Sequence, residues 1–105
     1  MNRTLTATDL QPLLTSGRVT VLDVRRQNDF DADPQILPGA RRCDPDDIDT
    51  WSQQLHTDQD IVLYCVRGGS VSNSVLDVLL AKQLKARYIE GGIVAWKDAG
   101  GETVR

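Results

Sequence analysis

No apolar run in this 105-residue chain is longer than six residues, Ile61 to Val66. A membrane-spanning helix needs about 20, so no membrane partner is expected. The opening residues Met1 to Thr6 lack the apolar stretch of a secretion signal, and a cytoplasmic location is expected. Cysteine is scarce, with Cys43 and Cys65 alone. Two are too few for the disulfide framework of a secreted domain, which favours a reducing compartment. The one histidine, His56, sits in a polar stretch beside Thr57 and Asp58 and is assigned no catalytic role. Without His and Cys clustered at ligand spacing, no metal site is expected. A basic excess is missing too: 12 Lys and Arg stand against 15 Asp and Glu, for a net charge of -3. That argues against a nucleic-acid partner. No repeat, low-complexity tract or Gly/Ser/Pro linker interrupts the chain, so residues 1–105 read as a single domain. Folding at this size buries roughly 65% of the surface an unfolded chain exposes, enough for one core without disulfides.

What is present is unevenly charged. Residues 44 to 60 hold six aspartates and no Lys or Arg, whereas residues 65 to 97 hold five basic and two acidic residues. Such runs mostly mark solvated faces, and an anion meeting the C-terminal half is the alternative. Thr8 and Gln11 have capping-box spacing, and Leu10, Leu13 and Leu14 then recur at helical spacing up to Gly17. Val19 to Asp23 is a β-branched run that reads as a strand, and Asp46 to Leu55 sets Ile48, Trp51 and Leu55 on one helical face. Ile61 to Cys65 lacks alternation, as a strand covered on both faces does. From Ser70 to Leu84, apolar residues cover more than one face, which predicts a largely buried helix. Arg87 to Ile89 reads as another strand and Ile93 to Lys97 as a last helical turn. Strands alternating with helices imply an α/β domain with a parallel sheet and helices on both sides.

The segment that carries chemistry is Tyr64-Cys-Val-Arg-Gly-Gly-Ser-Val-Ser72, between the most apolar strand and the most apolar helix. In open α/β sheets ligands bind beyond the carboxyl ends of strands, which is where Cys65 falls. Gly68 and Gly69 let successive N–H groups converge, and the following helix adds its positive end. Both features favour an anion, and equally a thiolate, because helix N-termini and nearby cations such as Arg67 lower a cysteine's pKa. A buried cysteine packing as a small hydrophobe is the plain alternative, but packing asks for neither the glycine turn nor the arginine. The local sequence therefore favours a nucleophilic or anion-binding role.

Four motifs stand in order along the chain: Leu22-Asp-Val-Arg25, Pro38-Gly-Ala40, Ile61-Val-Leu-Tyr-Cys65 with Gly68, and Gly91-Gly-Ile-Val-Ala-Trp96. Together they resemble the rhodanese-like sulfurtransferases. The resemblance implies a three-layer α/β fold with a five-stranded parallel sheet flanked by helices on both faces. It implies Cys65 as the nucleophile that carries a persulfide, and Val66, Arg67, Gly68, Gly69 and Ser70 as the substrate cradle. The implied reaction is double displacement. The Cys65 thiolate takes the outer sulfur of a small anionic donor such as thiosulfate, sulfite leaves, and cyanide, a cellular thiol or a protein accepts the sulfur. No metal or organic cofactor is implied.

The departures from the family pattern set further expectations. At the sixth loop position, where Arg or Thr is frequent, this chain has Ser70, and Val71 follows where Ser is common. Arg67 is expected to compensate for the lost bidentate grip. The family's Gly-His before Ile-Pro-Gly-Ala is replaced by Asp33-Pro-Gln-Ile36, which leaves acceptor preference open. Asp23 is read as a hydrogen-bonding structural residue, Arg25 as a residue of the pocket rim and Trp96 as a core anchor. Cys43 is read as a buried small residue, with a resolving role toward Cys65 as the alternative. Two rival functions remain: a persulfide carrier or anion-binding module with little turnover alone, and a cysteine phosphatase or arsenate reductase. Phosphatase loops need an arginine at the seventh position, which Val71 does not supply.

Overall fold

A computed structural model describes residues 3–105 of the chain. Met1 and Asn2, which open the stretch read for a secretion signal, lie outside the described residues. Thr4–Leu5 forms β1, Val19–Asp23 β2, Arg41–Arg42 β3, Asp60–Tyr64 β4 and Lys85–Ile89 β5. They make one five-stranded sheet in the order β1-β5-β4-β2-β3, with every pairing parallel. The apolar run of β4 is central, and all of its residues after Asp60 are buried. Their alternation separates two cores. Ile61 and Leu63 pack with Leu22, Trp51, Val75, Leu76 and Leu79, while Val62 and Tyr64 pack with Leu10, Val21, Leu37, Ile93 and Trp96.

The first core is covered by α3 (Ile48–Trp51) and α4 (Ser70–Ala81), the second by α1 (Ala7–Ser16) and α5 (Gly92–Asp98). Helices on both faces of a parallel sheet give the three-layer α/β architecture that the motifs imply. Trp96 is buried at 3% exposure, and its Nε1–H donates to the Glu102 carbonyl at 2.8 Å.

Several elements differ from the sequence reading for local reasons. The first helix starts at Ala7, because the Thr6 hydroxyl accepts from the Asp9 N–H at 3.1 Å and caps it two residues before the Thr8–Gln11 box. Gly17 stops it in a left-handed conformation, as expected. The helix expected over Asp46 to Leu55 is divided into 3-10 turns at Pro45–Asp47 and Ser52–Gln54 around the short α3. Helix α4 ends at Ala81 rather than Leu84. There Gln83 takes a left-handed φ of 66°, while the Gln83 and Leu84 N–H groups donate back to Leu80 and Leu79. A further helix, α2 (Gln27–Ala32), occupies a stretch that shows no apolar stripe.

Candidate active site

Cys65 follows β4 directly at the carboxyl edge of the sheet. Its thiol is free and the residue is only 6% exposed. The start of its loop is fastened to α5: the Ile93 N–H donates to the Cys65 carbonyl at 3.0 Å and the Val94 N–H to the Val66 carbonyl at 3.2 Å. So close an approach needs glycine. A Cβ on Gly92, whose φ is +63°, would lie 2.4 Å from the Val66 oxygen and 2.5 Å from that of Cys65. Gly68, at φ +72°, meets the same segment from the other side, where a Cβ would come within 3.0 Å of the Gly91 nitrogen. Gly68 and the Gly91-Gly92 pair thus interlock.

Beyond Gly68 the chain enters α4 through Gly69, and no side chain caps that helix. Among the described residues, the N–H groups of Val66, Arg67, Gly68, Gly69 and Ser70 donate to no protein acceptor. Open donors at a helix start favour an anion. Arg67, Gly69 and Ser70 are exposed, and Val66 and Gly68 half-buried. The five predicted cradle residues and Cys65 therefore form one continuous turn.

Two residues that the sequence reading passed over join them. The Ser72 hydroxyl, in the first turn of α4 and fully buried, donates to Cys65 Sγ at 2.9 Å. Arg26, exposed at the end of the β2 loop, lines a groove with Asp46, Ser70 and Val71. The signal for Ser72 was present, because with Val75, Leu76 and Leu79 it completes the buried stripe of α4, and a buried hydroxyl needs a partner. Arg26 carries no such signal, since only the tertiary fold brings it beside Ser70.

Arg25 is not at the pocket rim. It is 1% exposed and its guanidinium grips the buried Asp23 carboxylate, with Nη2 to Oδ2 at 2.7 Å and Nε to both oxygens at 3.1 Å. Nη1 and Nη2 also donate to the carbonyls of Asp33 and Gln35 at 2.7 and 2.8 Å. Burial works against its charge, but the bond to Asp23 and that carboxylate's charge outweigh it and hold Arg25 above its ordinary value. The pair serves to anchor the 33–35 segment, and Asp23 is the structural residue expected. Burial pushes the Tyr64 phenol upward, and the Asp23 charge adds to the shift.

Cys43 lies just past β3, buried at 4% exposure among the core residues of the α3 and α4 side. Burial raises its thiol above the ordinary value, with Arg41 and Arg42 opposing. Strand β2 stands between β3 and β4, so two strand spacings set Cys43 roughly 10 Å from Cys65. A disulfide needs Cα atoms within about 7 Å, which removes the resolving role.

Residues 6–99 match the rhodanese-like domain family along their whole length. The chain belongs to that family. Among solved structures, the rhodanese-like domain resembles a rhodanese-like domain protein from Staphylococcus aureus, with 28% identity, a TM-score of 0.81 and 97% of each chain covered. It also resembles a protein of unknown function from Rhodopseudomonas palustris described as a possible tyrosine phosphatase, with 29% identity, a TM-score of 0.83, and 98% and 85% of the two chains covered. A rhodanese-related protein from Thermoplasma volcanium, at 24% identity and a TM-score of 0.82 over 97% of each chain, shares the fold. No curated protein matches the sequence.

Proposed function

We propose that this rhodanese-like domain is a sulfurtransferase that carries sulfane sulfur as a persulfide on Cys65. One observation carries the reading: a free thiol at the end of the central strand is followed by five N–H groups without protein acceptors among the described residues, and then by an uncapped helix. The thiolate attacks the outer sulfur of thiosulfate, the donor's S–S bond breaks, and sulfite leaves with the electron pair. The N–H groups of residues 66 to 70 then hold the negative outer sulfur. Cyanide or a thiolate attacks that sulfur next, and Cys65 departs as thiolate. With Cys65 only 6% exposed, the acceptor is small, or a thiol at the tip of a cellular or protein partner. A reducing cytoplasm fits a cycle that returns Cys65 to the thiol.

The donor's sulfonate end is assigned to the groove over Ser70, where Arg26 takes the place of the missing loop arginine. Arg67, expected in that role, is exposed in the loop. The phosphatase description attached to the R. palustris neighbour has little support here. Val71 stands where a phosphate loop needs arginine and packs against the core. A carrier with little turnover alone is the second reading, favoured by the loss of the sixth-position arginine.

Mass spectrometry of Cys65 after thiosulfate exposure, paired with thiocyanate formation from cyanide, tests the proposal. The expected result is one added sulfur, absent in Cys65→Ser, together with turnover. Added sulfur without turnover supports the carrier, and no added sulfur overturns both readings.

A further inference from the structure

The Ser72 side chain hydrogen-bonds to Cys65, and its hydroxyl has an unusual choice of partner. A serine in the first turn of a helix ordinarily bonds to local backbone. Here it is fully buried, and its Oγ lies 2.9 Å from Cys65 Sγ, close for an atom as large as sulfur. Helix α4 enforces the contact. Ser72 shares its inward face with Val75, Leu76 and Leu79, which seat the helix against β4, and Cys65 directly follows that strand. An O–H directed at sulfur gains little from a neutral thiol and much more from a thiolate, because hydrogen bonds to an ionised partner are about twice as strong.

We propose that Ser72 is a catalytic residue that holds Cys65 as the thiolate and stabilises it as the leaving group. The second half of this proposal rests on the sulfur-transfer reading above, and the first half does not. In discharge, the acceptor's electron pair forms a bond to the outer sulfur and the Sγ–S bond breaks. The released pair stays on Cys65 Sγ, where the Ser72 O–H meets it, and no proton changes hands. Loading gains less, since a stabilised thiolate is more abundant but less nucleophilic. Discharge is therefore the step that Ser72 serves most.

The test follows alkylation of Cys65 by iodoacetamide across pH, read by mass spectrometry of the Cys65 peptide, and the discharge of preloaded persulfide by cyanide. Ser72→Ala is expected to move half-maximal alkylation up by about one pH unit and to slow discharge about tenfold. Ser72→Thr and Ser72→Val have nearly the same shape and differ in the hydroxyl. The threonine variant should keep the wild-type profile and the valine variant should follow alanine. Ser72→Ala only removes the hydroxyl from the buried position, and the threonine and valine pair, each adding a methyl branch there, isolates the hydroxyl at constant shape. Arg26, Asp46 and Arg67, the charged groups of the groove and loop, are common to all variants. Coincident alkylation profiles for the threonine and valine variants overturn the proposal. If the wild type never takes up sulfur, the sulfur-transfer reading fails, while the alkylation profiles still decide whether Ser72 holds the thiolate.

Discussion

At the scale of single residues, the roles of Arg25, Arg42, Arg26 and Arg67 differ with their burial. Arg25 has its guanidinium consumed by Asp23 and two carbonyls. Arg42 donates Nη1 to the Asp23 carbonyl at 3.2 Å and lies over the Phe30 ring at 4.8 Å. Arg26 and Arg67 are exposed, and only Arg26 lines the groove that holds Ser70. A cation that meets the sulfonate equally in ground and transition states changes affinity more than rate. Arg26→Ala should therefore raise the thiosulfate Michaelis constant about fivefold to tenfold at low salt with kcat little changed, and Arg67→Ala should raise it less. Steady-state kinetics of the two variants side by side decide between the cations, and a larger effect at Arg67 would return the role to the loop. Sequence alone favoured Arg67 because it stands two positions from Cys65, whereas Arg26 is brought near by the sheet.

At the scale of elements, legibility followed the hydrophobic pattern. The central strands and α4 were visible because each carries enough apolar residues for its pattern to show. Strands β1 and β3 have two residues each, too few for any period to show. Helix α2 has no buried residue, and Phe30, under Arg25 and Arg42, is its one aromatic link to the body of the protein. The Gly91-Gly92 turn was visible as a motif, but its purpose was not. Only the fold shows that it lets α5 lie on the carbonyls of Cys65 and Val66. Gly92→Ala adds a Cβ 2.4 Å from backbone at a left-handed φ, and should cost at least about 2 kcal/mol. Urea unfolding measures that cost. Persulfide loading on Cys65 should fall with it, because the same carbonyls fix the start of the loop. A variant with wild-type stability and loading would show that α5 does not set the loop.

Across the whole molecule, distant segments are tied around the site by a few polar links. Lys97 in α5 bonds to the Asp33 carboxylate, 64 positions away, and both side chains are partly exposed. The bond from Lys97 holds Asp33 below its ordinary value of 3.8, against a smaller opposing effect of burial. A carboxylate depressed by folding contributes stability that is fully present above its unfolded value and is lost as pH falls through the folded one. Solvent exposure limits the pair to about 1 kcal/mol or less. Thermal melts of wild type and Lys97→Ala should thus differ slightly near neutrality and converge as pH drops below 3.8. A gap that persists at lower pH would assign the effect of Lys97 to packing instead. The sequence by itself determined the fold class, the place of Cys65 at the end of the central strand and the glycine turn after it, because apolar periodicity and local chain geometry are written in neighbouring residues. Only the tertiary structure decided that Arg25 is an internal clasp, that Cys43 lies out of reach of Cys65, and that Ser72 and Arg26 join the site. The placements of Cys43 and Arg26 depend on which strands lie side by side in the open sheet, and those of Arg25 and Ser72 on how the loop and α4 fold over the strand ends, neither of which spacing along the chain fixes.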